Sequence, residues 1–316
     1  MASFADKQGI FKSSDGISEI SYFVWDIESG IPCKGIVQIS HGMREHSGRY
    51  ADFARFLNKN GWLVISHDHL GHGRSNNKKF GYFGESGVNT LINDVILLSN
   101  QIKNLYPDKQ MNLFGHSMGS FIAREVCTKY KFYSGAVFCG TGSSSPLIRF
   151  AEKLAKIMCV MFGEEHDAKL FEALSKKIYN ARIKPAPTGK EWLSRDKAVY
   201  EAFLADELCA YDFKLGGYRD LFSLVNMVNT RDWAAKIDVN MPIFLISGLE
   251  DPVGEYGRGV LKVYEALNTA GNKNIYIKMY HGARHELLNE LNKEEVYDDI
   301  LYFFEEIMTG KAFLEE

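Results

Sequence analysis

Apolar residues along this chain fall into two alternating periods. Continuous apolar runs of strand length occur at 35–40, 61–66, 110–113, 134–140, 242–248 and 274–280. Between them come stretches whose apolar positions repeat every three or four residues. The clearest is Val88, Leu91, Ile92, Val95, Leu98, Ile102 and Leu105, closed by Tyr106-Pro107, which predicts a helix over 88–105. Further helices are expected after Tyr50, after Ser120, around 256–270 and from about 290 to 308. Near the start, Ile17, Ile20, Tyr22 and Val24 partly alternate. They are joined to an earlier run by Ser13-Ser14-Asp15-Gly16, which predicts an antiparallel hairpin. Uninterrupted apolar strands alternating with amphipathic helices predict an α/β fold, its mostly parallel central sheet covered by helices on both faces.

One segment breaks the alternation. Between Thr141 and about Asp232 the pattern is helical throughout, with Leu147, Phe150, Leu154, Ile157, Met158 and Met161 on one face, then Phe171, Leu174 and Ile178, then Leu221, Phe222, Val225 and Val228. This predicts a helical cap, residues 143–232, inserted into a core made of 1–142 and 233–316. Most of its apolar side chains are expected to pack down onto the core, with some free to line a groove.

Composition narrows the function. The 316 residues carry 37 basic and 40 acidic side chains, for a formal charge of -3. Interspersed signs offer no field for nucleic acid. The start, Met-Ala-Ser-Phe-Ala-Asp-Lys, lacks the basic region and apolar stretch of a signal peptide, and no apolar run is long enough to span a membrane. Five scattered cysteines suggest neither a disulfide framework nor a zinc site. A cytoplasmic protein is expected.

Chemistry concentrates at Gly115-His116-Ser117-Met118-Gly119. It follows a strand and opens a helix, so Ser117 stands at the apex of a sharp turn with its hydroxyl exposed. A serine needs a base, and the base needs a carboxylate to fix its tautomer. Two later strands end in loops that supply them, Glu250-Asp251-Pro252 and His281-Gly282-Ala283-Arg284-His285. Asp251, held extended before Pro252, is preferred to Glu250, and His285, further along its loop, to His281. The chain order Ser117, Asp251, His285 is that of an α/β-hydrolase. An oxyanion hole is expected from the backbone N–H groups of Met118 and Met43. Three histidines lie in His67-Asp68-His69-Leu70-Gly71-His72, but Gly71 stands where a dinuclear zinc motif needs an aspartate. No metal or other cofactor is expected, and Asp68 and the histidines are read as bonding to nearby backbone.

Taken together, His41 to Tyr50 (HGMREHSGRY), Asp68 to Ser75 (DHLGHGRS), the Ser117 pentapeptide, Gly248 to Val253 (GLEDPV) and His281 to His285 (HGARH) resemble the monoacylglycerol lipase and lysophospholipase group of α/β-hydrolases. The resemblance implies a serine hydrolase acting on single-chain acyl glycerides or lysophospholipids beneath a helical cap. It also implies that Glu45 and Arg49 receive the polar head, with His116 beside the nucleophile. An internal salt bridge between Arg49 and Glu45 is the competing reading. A shorter-chain esterase or a thioesterase is the alternative within the class, and an exposed cap tip offers transient contact with a membrane surface. The sequence leaves the oligomeric state open.

Overall fold

The computed structural model describes residues 4–75 and 79–309. Among them, β1 (Lys7–Lys12) and β2 (Glu19–Trp25) form the expected hairpin. Its connection is longer than the four residues expected, and Ile17 lies in the turn, 83% exposed. The alternation then runs β3 (Gly35–Ser40), α1 (Ala51–Lys59), β4 (Trp62–His67), α2 (Val88–Leu105), β5 (Gln110–His116), α3 (Met118–Lys129) and β6 (Tyr133–Cys139). After four helices without a strand, α4 (Pro146–Phe162), α5 (Lys169–Tyr179), α6 (Lys197–Ala205) and α7 (Leu215–Met227), it resumes. The closing elements are β7 (Ile243–Gly248), α8 (Arg258–Thr269), β8 (Ile275–Tyr280) and α9 (Lys293–Thr309).

The described strands form one eight-stranded sheet in the order β1-β2-β4-β3-β5-β6-β7-β8, antiparallel through β1, β2 and β4 and parallel beyond. Every residue of β3, β4 and β7 is buried, as a strand covered on both faces requires. The pleat sends neighbours to opposite layers. Ile36 joins the layer of α2, α3 and α8, while Val37 and Ile39 join that of α1 and α9. Strand order reverses at β3, which pairs β4 on one side and β5 on the other. The crevice beyond that switch point is where an open α/β sheet binds its ligand.

The inserted helices depart from the sequence reading in two ways. The helix α6 carries no clear apolar stripe and buries only Phe203. The stripe on α4 becomes an underside only in part: Leu154 and Met158 pack partly buried against the core layer, while Leu147, Phe150, Ile157 and Met161 are each more than half exposed. What α4 buries against the core layer are Ala155 and Cys159. No helix of the described residues is long and apolar enough to cross a membrane.

Candidate active site

The turn after β5 holds Ser117 at φ 53° and ψ -121°, a conformation a side-chain-bearing residue adopts only when its surroundings enforce it. The Ser117 N–H donates to the Cys139 carbonyl at 2.9 Å, and its own carbonyl accepts from the Ser120 hydroxyl at 2.6 Å. A Cβ on Gly119 would run into the carbonyls of Ser40 and His41, and one on Gly115 into that of Gly119. The two glycines thus let α3 start directly against the end of β3. The Ser117 hydroxyl has no hydrogen-bond partner among the described residues and faces a cavity.

His285 reaches the same cavity from the loop after β8. Its Nδ1 lies 2.9 Å from Asp251 Oδ2, with both residues buried. Asp251 Oδ1 accepts the Val253 N–H at 2.8 Å. A carboxylate on Nδ1 keeps the proton there and leaves the Nε2 lone pair free to act as base. Of the alternatives weighed on the sequence, Glu250 and His281 are both exposed. The loops after β7 and β8 are stitched by Leu249 N–H to Tyr280 O at 3.0 Å and Glu250 N–H to Ala283 O at 2.9 Å, so Asp251 and His285 move as a unit.

Met43 and Met118 line the cavity together with Ser117, and neither backbone N–H is taken by an acceptor among the described residues. Below them Glu45 acts as a hub. Its Oε1 accepts from Gly42 N–H at 2.5 Å, Tyr50 hydroxyl at 2.8 Å and His116 Nδ1 at 3.0 Å, and its Oε2 from Arg49 at 3.3 Å. Burial opposes ionisation of Glu45, but His116 and Arg49 outweigh it and hold the carboxyl well below the usual range. Burial likewise opposes charge on His116, yet Glu45 raises its pKa. The His116 ring has an acceptor at each nitrogen, Glu45 at one and the His285 carbonyl, 3.3 Å away, at the other. That pattern suits an imidazolium.

Arg49 does not line the cavity. Its guanidinium forms a fork with Glu286, at 2.8 and 2.7 Å, and reaches Glu45 with what remains. The competing ion-pair reading therefore describes its geometry, with a second carboxylate the sequence did not suggest. The cations that do line it are Arg44, Lys176, Lys190 and Arg258.

The histidine loop is a buried support. Asp68 accepts the N–H groups of Ser47 and Arg74, both at 2.8 Å. His41 Nε2 accepts the His69 N–H at 2.9 Å, while His69 bonds the Ser40 hydroxyl and both ring nitrogens of His67 are unpartnered. Burial drives His67 and His72 down to about 3, so both stay neutral. Among the described residues the donor set compact enough for a cation lies elsewhere, at His46, Asp206 and Cys209. There His46 Nδ1 accepts the Gly48 N–H at 3.2 Å, which leaves Nε2 protonated and donating to Asp206 at 2.8 Å. A protonated nitrogen is not a ligand.

The cavity encloses about 700 Å³, within the range of small-molecule sites. One arm is apolar, lined by Leu147, Leu154, Phe171, Leu221, Phe222 and Val225. The other is polar, with Arg44, Glu45, His116, Glu172, Lys190 and Glu286. Residues 188–196 strap the polar arm to the His285 loop. The His285 N–H donates to Trp192 O at 3.4 Å, the Glu286 N–H to Leu193 O at 2.7 Å, and Arg284 to the Glu191 and Ser194 carbonyls at 2.6 and 3.0 Å. The Trp192 ring packs 4.9 Å from that of His285. Arg44, Lys190, Trp192 and Phe203 were missed by sequence reasoning. Pro185, Pro187 and Gly189 mark only a loop, and nothing local shows where a loop lands.

The family model described as serine aminopeptidase, S33, matches residues 31–292. The chain is 30% identical over 278 residues to the monoglyceride lipase of Mus musculus, covering 87% of this chain and 82% of that one. It is 26% identical over 308 residues to the monoacylglycerol lipase of Mycolicibacterium smegmatis, covering 95% and 97%. Among solved structures, a thermostable carboxyl esterase from Bacillus coagulans in complex with glycerol superposes with a TM-score of 0.90 at 30% identity, covering 96% of this chain and 99% of that one.

Proposed function

Because the chain belongs to the serine aminopeptidase S33 family of α/β-hydrolases, we propose that it hydrolyses carboxylic esters through an acyl-enzyme on Ser117 and prefers a monoacylglycerol or lysophospholipid. The observation that carries this is the Asp251–His285 pair, whose His285 lines the same largely apolar cavity as Ser117. His285 Nε2 takes the serine proton as the oxygen attacks the ester carbonyl, and returns it to the departing alcohol. Water then repeats the sequence on the acyl-enzyme and releases the acid. The Met43 and Met118 amides stabilise the oxyanion in both steps. No step draws on a cofactor.

Helices α4 to α7 act as the cap, and its apolar arm takes the acyl chain. The outward residues Ile157 and Met161, interspersed with Lys153 and Lys156, suit transient contact with the lipid surface that supplies the substrate. All five cysteines are free, which fits the reducing cytoplasm. A short-chain esterase is the second reading, favoured by the likeness to the B. coagulans carboxyl esterase. Hydrolysis of p-nitrophenyl esters from acetate to palmitate, with Ser117→Ala as blank, decides between them. A kcat/KM that climbs with chain length supports the lipase. A maximum at acetate or butyrate supports the esterase, and no turnover above the blank overturns both.

A further inference from the structure

Three cations crowd the ring of Phe203 at the polar arm. Lys190 Nζ lies 5.0 Å from its centroid, and the guanidinium carbons of Arg49 and Arg44 lie 5.3 and 6.0 Å away. Arg49 is spent on Glu286 and Glu45. Arg44 gives Nη1 to Glu172 at 2.8 Å and Nε to the Cys209 carbonyl at 3.2 Å. Its Nη2 and the Lys190 ammonium have no ion-pair or hydrogen-bond partner among the described residues, and both side chains line the cavity. Counting His116, whose pKa Glu45 raises, four basic groups face the carboxylates of Glu45, Glu172 and Glu286. Burial, with Arg44 nearby, pulls the Lys190 ammonium down to about 8, and Glu172 and Glu286 compensate only in part, while Lys176 adds to the repulsion. A half-buried ammonium without a counter-ion gains most when a ligand brings one.

The place of this surplus sets the class of ligand. Lys190 sits on the strap whose Trp192 packs on His285, and His285 hands its proton to the departing alcohol. The polar arm is therefore the leaving-group side.

We propose that Lys190 and Arg44 Nη2 bind a phosphate on the leaving glycerol, so that the enzyme prefers an acyl-glycerol phosphate to the neutral acyl-glycerol. This deepens the ester-hydrolase reading above and rests on it.

The test is kcat/KM on a matched pair below their aggregation limits, 1-decanoyl-glycerol and 1-decanoyl-glycerol 3-phosphate, for wild type, Lys190→Met and Lys190→Arg. In Lys190→Met the phosphate-to-neutral ratio is expected to fall about 10- to 100-fold, the size of a lost hydrogen bond to a charged group, and Lys190→Arg to restore most of it. The wild-type ratio should also fall as pH rises through about 8, where the free enzyme's ammonium gives up its proton, and stay flat there in Lys190→Met. A ratio unchanged by Lys190→Met, an equal loss in Lys190→Arg, or a wild type that favours the neutral ester overturns the proposal. Hydrolysis of neither ester removes the ester-hydrolase reading itself, and this inference with it.

Discussion

Arg49 and Glu286 form a two-point ion pair, at 2.8 and 2.7 Å, between the turn before α1 and the residue that follows His285. The guanidinium is 13% exposed and the carboxylate 4%. The pair thus ties the loop carrying the proposed base to the loop carrying the proposed oxyanion amide, with Glu286 on the cavity wall and Arg49 behind it.

Removing Arg49 should accordingly look structural. Arg49→Ala strands the carboxylates of Glu286 and Glu45 in a buried setting, which costs about 3–5 kcal/mol when one partner of such a pair is lost. The denaturation midpoint should drop, and kcat/KM should fall by similar factors for acyl-glycerols and for p-nitrophenyl esters. A rise in KM confined to glycerol-bearing substrates would instead return Arg49 to head-group binding.

The apolar arm runs beside Ala151 of α4, which lines the cavity. Ala151→Phe should fill part of that arm. Each methylene kept out of an apolar site forfeits about 0.8 kcal/mol, roughly a fourfold loss in kcat/KM. Laurate and palmitate esters should therefore lose ten- to a hundredfold while acetate and butyrate change little. A uniform loss at every chain length would show that the acyl chain does not follow α4.

What the sequence revealed and what it hid divide along a physical line. Strands such as 35–40 and 243–248 are covered on both faces, so their apolar runs are nearly unbroken and easily read. Ser117, Asp251 and His285 stood out because each sits in a short, glycine- or proline-marked loop at a strand end, in a telling chain order. Arg49 shows the limit, since Glu45 is visible four residues away but Glu286 lies 237 residues on. The same holds for the strap at 188–196, whose landing on the His285 loop no local pattern encodes. The stripe on α4 misled because an apolar face reads alike whether it packs on protein or borders a cavity and solvent.

His67 makes acid stability testable. It is fully buried, both ring nitrogens lack partners, and Phe11 lies edge-on at 5.9 Å. Burial lowers its pKa from 6.5 to about 3, so the unfolded chain takes up the proton first. The stability this residue lends is complete above pH 6.5 and is lost as pH falls toward 3. At pH 5 the loss is about 2 kcal/mol for one such histidine. His67→Phe, which also removes two unsatisfied polar atoms, should match or exceed wild type at pH 7.5 and gain about that amount on it by pH 5. Parallel stability–pH curves for the two proteins would refute the assignment.

Arg124 links both ends of the inserted helices to α3, the helix that follows Ser117. It is fully buried on α3, with the Trp233 ring 4.2 Å from its guanidinium carbon. One nitrogen donates to Thr141 Oγ1 at 3.3 Å and Gly142 O at 2.8 Å, just before α4, and another to Val228 O and to Asn229 Oδ1 at 3.1 Å, just after α7. No carboxylate pairs with it among the described residues, and burial alone lowers it to about 9. An arginine kept charged in that setting is tolerated for the carbonyls it gathers. Arg124→Met keeps the apolar stem and leaves the Gly142 and Val228 carbonyls unpaired, at about 1–3 kcal/mol each. Hydrogen exchange should quicken around 141–148 and 224–231 while β5 and β7 stay protected, and activity on long-chain esters should fall more than on acetate, because the apolar arm is built from the helices set free. Exchange that rises evenly across the sheet would make Arg124 an ordinary core residue, and no change at either segment would show that the two junctions hold without it.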